Sequence, residues 1–308
     1  MIAITGYTGF VGSALLKVLE SDNVLLLGRK VLPEYPNFSY FDLTDTKNLE
    51  LQDSLSAVDV LIHSAARVHI MNDSALDPHA DFKATNTLGT INLAKQAAQA
   101  GVKRFIFLSS IKVNGESTTD KQPFSATDQS APEDPYGTSK AEAEQQLLEL
   151  GKKTGMEIVI IRPPLVYGKG VKANFASLMN LVGKGFPLPF RLIKNNKRSL
   201  VSVYNLVDLI QICIEHPNAA NQTFLVSDDL DLSTAEMVAL MAKVHNKRNL
   251  ALPVPVWCFK LTGKLLGKQA VIDRLTGSLQ LDITHTKKTL NWTPPYSVEH
   301  GFKLAAKK

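Results

Sequence analysis

Ile2-Ala3-Ile4-Thr5-Gly6-Tyr7-Thr8-Gly9-Phe10-Val11-Gly12 opens the chain and decides its fold. A short apolar run, read as a buried strand, leads into three glycines spaced Gly-x-x-Gly-x-x-Gly. An amphipathic stretch of helical period, 10–20, follows. Gly6 permits a tight turn, Gly9 lets backbone approach a pyrophosphate, and Gly12 lets helix pack closely on strand. The helix that starts there offers oriented N–H groups to phosphate oxygens. The glycine spacing alone says little; its place between a first strand and a first helix gives it meaning.

Working outward, apolar runs at 24–27, 38–41, 58–62, 104–108 and 157–161 read as further buried strands. Helix-length amphipathic segments at 80–100 and 136–150 lie between some of them. Such alternation predicts an α/β Rossmann domain, a doubly wound parallel sheet with helices on both faces. Residues 112–135 form a polar connection too long to be a mere link. After Arg162-Pro163-Pro164 the pattern becomes irregular, with helix-like segments at 205–216 and 234–246. The expected division is a dinucleotide-binding domain over 1–164 and a smaller, mainly substrate-binding domain over 165–308. Part of 199–228, where Phe224-Leu225-Val226 looks like a buried strand, is expected to return to the first domain.

Composition bounds the function. The 308 residues are 44% apolar and 20% charged, as in ordinary globular proteins. The formal charge of +5 has no Lys/Arg block or interleaved aromatics that would suggest nucleic acid. Cys213 and Cys258 have neither disulfide nor metal spacing, and Cys213 falls in a core-like pattern. His63, His69, His79 and His216 show no ligand spacing, so no metal is expected. The chain begins in a strand and contains no apolar run of membrane-spanning length, so a cytoplasmic protein is expected.

The second strand ends in Leu27-Gly28-Arg29-Lys30, where an NAD-preferring site would offer an acid to the ribose 2′-OH. Arg29 instead suits a 2′-phosphate, which predicts NADP in preference to NAD. Tyr136 and Lys140 stand at i and i+4 on one helical face. An ammonium beside a phenol would lower its ordinary value near 10 towards neutrality. Ser109 and Ser110 close the run Arg104–Leu108, at the strand end that faces the ligand crevice of such sheets. Turn chemistry would account for either serine alone.

With these pieces in order, the chain resembles the extended short-chain dehydrogenase/reductases of the NAD-dependent epimerase/dehydratase family. The resemblance rests on Thr5–Gly12, Phe41-Asp42-Leu43, Ile62–Ala66, Asn86–Thr90, Phe107–Gly115, Pro135–Lys140 and Arg162–Gly168. It continues through Arg198–Asp208 and Thr286–Trp292. It implies that Ser110, rather than Ser109, holds a substrate oxygen, that Tyr136 is the acid/base, and that Lys140 binds the nicotinamide ribose while tuning Tyr136. It also implies cofactor contacts from Gly6, Thr8, Gly9, Phe10, Val11 and Gly12. Asp42 and Leu43 would meet the adenine end, Ala65 and Ala66 would line the cofactor path, and Asn86 and Pro163 would complete the site.

Asn174, Arg198 and, more weakly, Arg274 are the implied ligands of a nucleotide diphosphate. Dehydratases of the family carry an Asp-Glu pair after the serine or threonine. Ile111-Lys112-Val113 stands there instead, which speaks against dehydration, and Lys112 reads as a solvated loop lysine. Leu165 replaces a usual substrate-contacting asparagine. The expected substrate is a nucleotide-diphosphate sugar, and a homodimer is compatible with the reading. The first expectation is an NADPH-dependent 4-keto-sugar reductase of surface-polysaccharide synthesis, the alternative a UDP-hexose or UDP-N-acetylhexosamine 4-epimerase. A non-sugar ketone reductase and a non-catalytic dinucleotide sensor rank below both.

Overall fold

A computed structural model describes residues 1–45, 50–67 and 77–307. His69, one of the histidines weighed above, lies outside them. Seven strands form one parallel sheet: β1 Ile2–Thr5, β2 Val24–Gly28, β3 Asn37–Tyr40, β4 Val60–His63, β5 Arg104–Leu108, β6 Glu157–Arg162 and β9 Gln222–Leu225. Their order is β3-β2-β1-β4-β5-β6-β9. Strands β7 Leu165–Tyr167 and β8 Leu200–Ser202 make a separate parallel pair.

Successive side chains of a strand point to opposite faces, and here both faces are covered, so the strands are apolar almost throughout. Ile4, Leu26, Ile62, Ile106 and Ile161 pack on one face with Leu206, Leu209 and Cys213 of the helix Val203–Glu215. Ala3, Leu25, Leu61, Phe105 and Ile160 pack on the other with Ala94 of Thr90–Gln99 and Leu147 of Pro135–Thr154. Burial pushes the Cys213 thiol up to about 12 although Arg104 works against it, which leaves it unreactive. Strand order reverses between β1 and β4, the switch point beside which open α/β sheets bind ligands.

Two helices differ from the sequence reading. The segment expected as one helix over 80–100 begins as Pro78–Phe82 and widens into a π-helical stretch, Lys83–Gly89, before Thr90–Gln99. The first helix is regular only over Phe10–Leu15. Within 165–308, part of the chain packs on the large sheet, both inside the 199–228 segment expected to return to the first domain and beyond it. The helix Val203–Glu215, strand β9 and Leu279–Trp292 all contribute to the large sheet's core. A second core gathers Tyr167, Phe175, Met179, Met241 and Phe302. The polar connection 112–135 crosses to this part of the chain: Phe124 N–H donates to the Gln280 carbonyl and Asp282 N–H to that of Phe124, both near 2.9 Å (2.9 and 2.8 Å).

Candidate active site

Gly6 adopts φ +70°, and a Cβ there would lie 2.5 Å from the Ala65 nitrogen. The glycine loop therefore rests on the Ser64–Ala65 backbone just after β4, which only a residue lacking Cβ allows. At Gly12 a Cβ would meet the Gly6 carbonyl oxygen at 2.3 Å, so helix and loop are in close contact as the spacing predicts. Gly9 precedes the helix with no side-chain cap, and Thr8 and Gly9 are exposed. The first-turn N–H groups are thus not claimed by a capping side chain, and the cradle suits the pyrophosphate of a dinucleotide. Phe10 and Val11 are half-buried behind it.

Tyr7, passed over in the sequence, fixes the other side of this pocket. Its hydroxyl donates to the Lys30 carbonyl, and its ring fills the space that a Cβ on Gly28 would need. That sets the turn carrying Arg29. The Arg29 guanidinium, 73% exposed, stands 3.6 Å from the Asp42 carboxylate. Asp42 accepts from Thr44 N–H at 2.9 Å and its hydroxyl at 2.7 Å. Those bonds, then Arg29, hold its carboxyl below the usual range against the effect of burial. Leu43 is pressed by the π-helical stretch, where a Cβ on Gly89 would lie 2.2 Å from the Leu43 carbonyl oxygen.

The same widened turn aims Asn86 inward. Its amide accepts from Arg67 N–H at 2.8 Å and donates to the Arg67 carbonyl at 3.0 Å and Ser139 Oγ at 3.1 Å. Ser139 Oγ in turn donates to the Tyr136 carbonyl at 2.8 Å. Asn86 therefore joins the chain beyond β4 to the first turn of the Tyr136 helix. An interruption of this kind inside a helix is a frequent companion of function.

That helix is set by Asp134, whose carboxylate caps Gly137 N–H at 2.6 Å, and by Pro135 at its first position. Tyr136 packs edge-on against Phe82, with centroids 6.0 Å apart. Burial pushes its phenol up to about 12, and Asp134 adds to the rise. Lys140 is buried one turn on. Its Nζ donates to the Leu108 carbonyl at 2.9 Å and lies 4.3 Å from the Phe107 ring centroid. Burial pulls its ammonium down to about 7 against an opposing pull from Glu144. A dry pocket thus disfavours phenolate and ammonium separately.

Ser109 and Ser110 diverge. Ser109 Oγ is buried and donates to Glu144, which also receives Arg162 Nε at 3.0 Å. Ser110 remains half-buried, its Oγ accepting, among the described residues, only from Lys112 N–H at 3.3 Å. Of the pair, Ser110 is the one whose hydroxyl is not committed to the buried Glu144 carboxylate. The Pro163 carbonyl accepts Ile111 N–H at 3.0 Å and fixes this loop from β6. Among the described residues, no hydrogen bond joins the Ser110, Tyr136 and Lys140 side chains to one another. Lys112 corrects its solvated reading: its ammonium pairs with Asp134, the helix cap, and with Glu116 at 2.8 Å. Glu144, Asn114 and Lys112 were not legible as site residues, because their roles depend on contacts made across the fold.

In the later part of the chain, Arg198 Nη1 donates to the Arg274 carbonyl at 3.0 Å. Burial, then the nearby Arg274 charge, lowers the Arg198 guanidinium from its ordinary value. Two cations this close, with no ion pair to either among the described residues, make an anion site physically favourable. Asn174 is exposed on the helix Ala173–Gly183 and hydrogen-bonds to neither arginine among the described residues. His63 is a core residue, its ring nitrogens 2.7 Å from Thr5 Oγ1 and 2.9 Å from Thr90 Oγ1. Burial, with Lys140 adding to it, holds that imidazole down at about 3 and therefore neutral. Among the described residues, no helix is long and apolar enough to cross a membrane.

A glycine-cradled crevice at a sheet's switch point, with serine, tyrosine and lysine around it, is the arrangement of a nicotinamide-dependent oxidoreductase-type enzyme. The model of the NAD dependent epimerase/dehydratase family matches residues 2–227, and the chain belongs to that family. It is 54% identical to a UDP-glucose 4-epimerase of Vibrio cholerae over 308 residues, covering 99% of this chain and 94% of the relative. It is 26% identical to the N-acetyl-alpha-D-glucosaminyl-diphospho-ditrans,octacis-undecaprenol 4-epimerase of Escherichia coli O157:H7, covering 97% and 92%. The crystal structure of UDP-glucose 4-epimerase from Thermotoga maritima superposes with a TM-score of 0.78 over 99% of this chain and 97% of that one. At 23% identity, that likeness shows the fold.

Proposed function

We propose that the protein is a UDP-hexose 4-epimerase. The observation that carries this over the 4-keto-sugar reductase expected first is the 54% identity, across nearly the whole chain, with a relative of that activity. The geometry supports the chemistry that both reactions share. A nicotinamide dinucleotide supplies the acceptor and donor of hydride when it is bound. Gly6, Gly9 and Gly12 would seat its pyrophosphate, with Asp42 and Leu43 at the adenine end, and Ala65, Ala66, Asn86 and Pro163 along the path.

Tyr136, as phenolate, takes the proton of the sugar 4-hydroxyl while hydride leaves C4, giving a 4-keto sugar. Ser110 holds the carbonyl oxygen. Lys140 keeps an ammonium beside the phenolate and steadies that charge in a dry site. After the sugar turns, hydride returns to the opposite face of C4 and Tyr136 gives back its proton. Arg198 and Arg274 bind the diphosphate, with Asn174 a further contact. Neither net oxidation nor net reduction results.

The reductase reading keeps one observation in its favour: Arg29, without a nearby acid on its own strand end, suits the 2′-phosphate of a cofactor consumed as NADPH. The two are separated by incubating the protein with UDP-glucose and NAD, and identifying products by proton NMR. UDP-galactose forming at constant nicotinamide absorbance is the expected result. Stoichiometric NADPH consumption with UDP-4-keto sugars, and no interconversion of hexoses, would replace the epimerase by the reductase.

A further inference from the structure

Far along the chain, the helix Val256–Leu265 has a face that no described residue covers. Its inner side is defined by Phe259 and Gly263. Phe259 packs with Ile193 and Ile272, and a Cβ on Gly263 would touch Ile272 at 2.6 Å. The outer side carries Trp257, Leu261 and Leu265 at i, i+4 and i+8, exposed by 65%, 51% and 75%. Leu266, 69% exposed, prolongs this stripe into the turn at Gly267. Beside it runs a parallel row, Lys260 and Lys264, followed by Lys268, all exposed.

Single exposed apolar residues are ordinary on a soluble protein, but a contiguous row of large ones marks an interaction surface. Its chemistry selects the occupant. A tryptophan suits the headgroup level, leucines suit the acyl boundary, and lysines snorkel to anionic headgroups. A packed protein partner would leave three adjacent ammonium groups to be neutralised individually, whereas an anionic lipid surface neutralises them all. We propose that this helix docks the protein peripherally on an anionic phospholipid bilayer, with Trp257, Leu261 and Leu265 inserted and Lys260, Lys264 and Lys268 on the headgroups. The docking is independent of which reaction the active site runs.

The chain's two tryptophans make the test direct. Trp292 is buried, with its indole N–H on Asp208 at 2.6 Å, so a change in emission on binding reports Trp257. Full-length protein is titrated with vesicles of 30 mol% phosphatidylglycerol in phosphatidylcholine, on the order of a typical anionic surface, and with pure phosphatidylcholine. Blue-shifted emission and co-sedimentation with the anionic vesicles are expected, weakening as salt rises. Leu261→Ser with Leu265→Ser should abolish the shift, and Lys260→Glu with Lys264→Glu should lower partitioning by more than about tenfold. Trp292 emission in each variant verifies that it folds. Absence of anionic-vesicle binding at low salt, or equal binding by folded variants, overturns the proposal. So does a blue shift that rises with protein concentration without lipid, which would assign the face to a second copy of the chain.

Discussion

Arg162 and Glu144 form a buried ion pair directly beneath the serine–tyrosine–lysine crevice, with Arg162 Nε 3.0 Å from Glu144 Oε1. The pair is hydrogen-bonded on every side. Ser109 donates to Glu144, and Arg162 Nη1 donates to Asn114 Oδ1 at 2.9 Å. Asn114 then holds the Ser125 carbonyl at 2.9 Å. Strand β6, the Tyr136 helix and the loop after β5 therefore meet at one carboxylate. Removing one member leaves an uncompensated buried charge, at a cost of about 3–5 kcal/mol. Glu144→Gln should lower the thermal midpoint strongly. Calorimetry checks this, and a midpoint unchanged from the parent would show that the pair contributes nothing.

The open guanidinium of Arg29 makes a second expectation. NADPH should bind more tightly than NADH, and Arg29→Ala should reduce that gap by about five- to tenfold, a charge-assisted contact reduced by solvent. Asp42, 3.6 Å away, competes with the phosphate for the same cation. Asp42→Asn should therefore widen the preference for NADPH. Fluorescence titration of both cofactors measures each effect, and equal affinities in the parent protein would end the NADP reading.

Tyr136→Phe retains the ring that packs on Phe82 and removes only the hydroxyl. Turnover should fall by about 10²–10⁴, the scale of lost general acid–base catalysis, while cofactor affinity and thermal midpoint stay close to the parent. Ser110→Ala should also lower turnover without altering cofactor affinity. Ser109→Ala should instead act on stability, since its hydroxyl is committed to Glu144. Parent-like turnover of a verified substrate by the folded Tyr136→Phe protein would remove the catalytic assignment.

What the sequence disclosed follows from how local each signal is. The strand runs, the glycine loop and the Tyr136–Lys140 spacing are set within a few residues, and the sheet is assembled from them. Asn86 shows the boundary: its place in the family motif is visible, but the π-helical stretch that turns it onto Arg67 and Ser139 arises from packing between segments far apart in the chain. Lys112 has the appearance of any loop lysine until the fold brings Asp134 to it, 22 residues later. The contribution of 279–292 to the large sheet's core is equally non-local, whereas the apolar run Phe224-Leu225-Val226 announces its strand in the sequence. Apolar period identifies a buried face without naming the surface that buries it. Arg104 behaves likewise: its guanidinium caps the helix Val203–Glu215 by donating to the Cys213 and Ile214 carbonyls at 2.8 and 2.9 Å, a partner over a hundred residues away.

Lys140 supplies the last expectation, a pH dependence with a definite sign. Its ammonium titrates at about 7 in the folded protein, where burial dominates, and near 10.4 in an unfolded chain. Below pH 7 both states carry the proton, so the full penalty of burying the charge is present and constant. Between about 7 and 10 the unfolded chain binds more protons than the folded one, so stability must rise with pH. The slope due to this group approaches about 1.4 kcal/mol per pH unit. Above pH 10 the raised phenol of Tyr136 acts oppositely, because the unfolded chain then loses a proton that the folded one retains. Lys140→Met lacks the titrating group and should be the more stable protein at pH 7. Its advantage should shrink steadily towards pH 10 in denaturant titrations of the cofactor-free proteins. A difference between parent and variant that stays constant over that range would mean that Lys140 keeps an ordinary ammonium, and that the pocket is wetter than its hydrogen bond to Leu108 and its contact with the Phe107 ring imply.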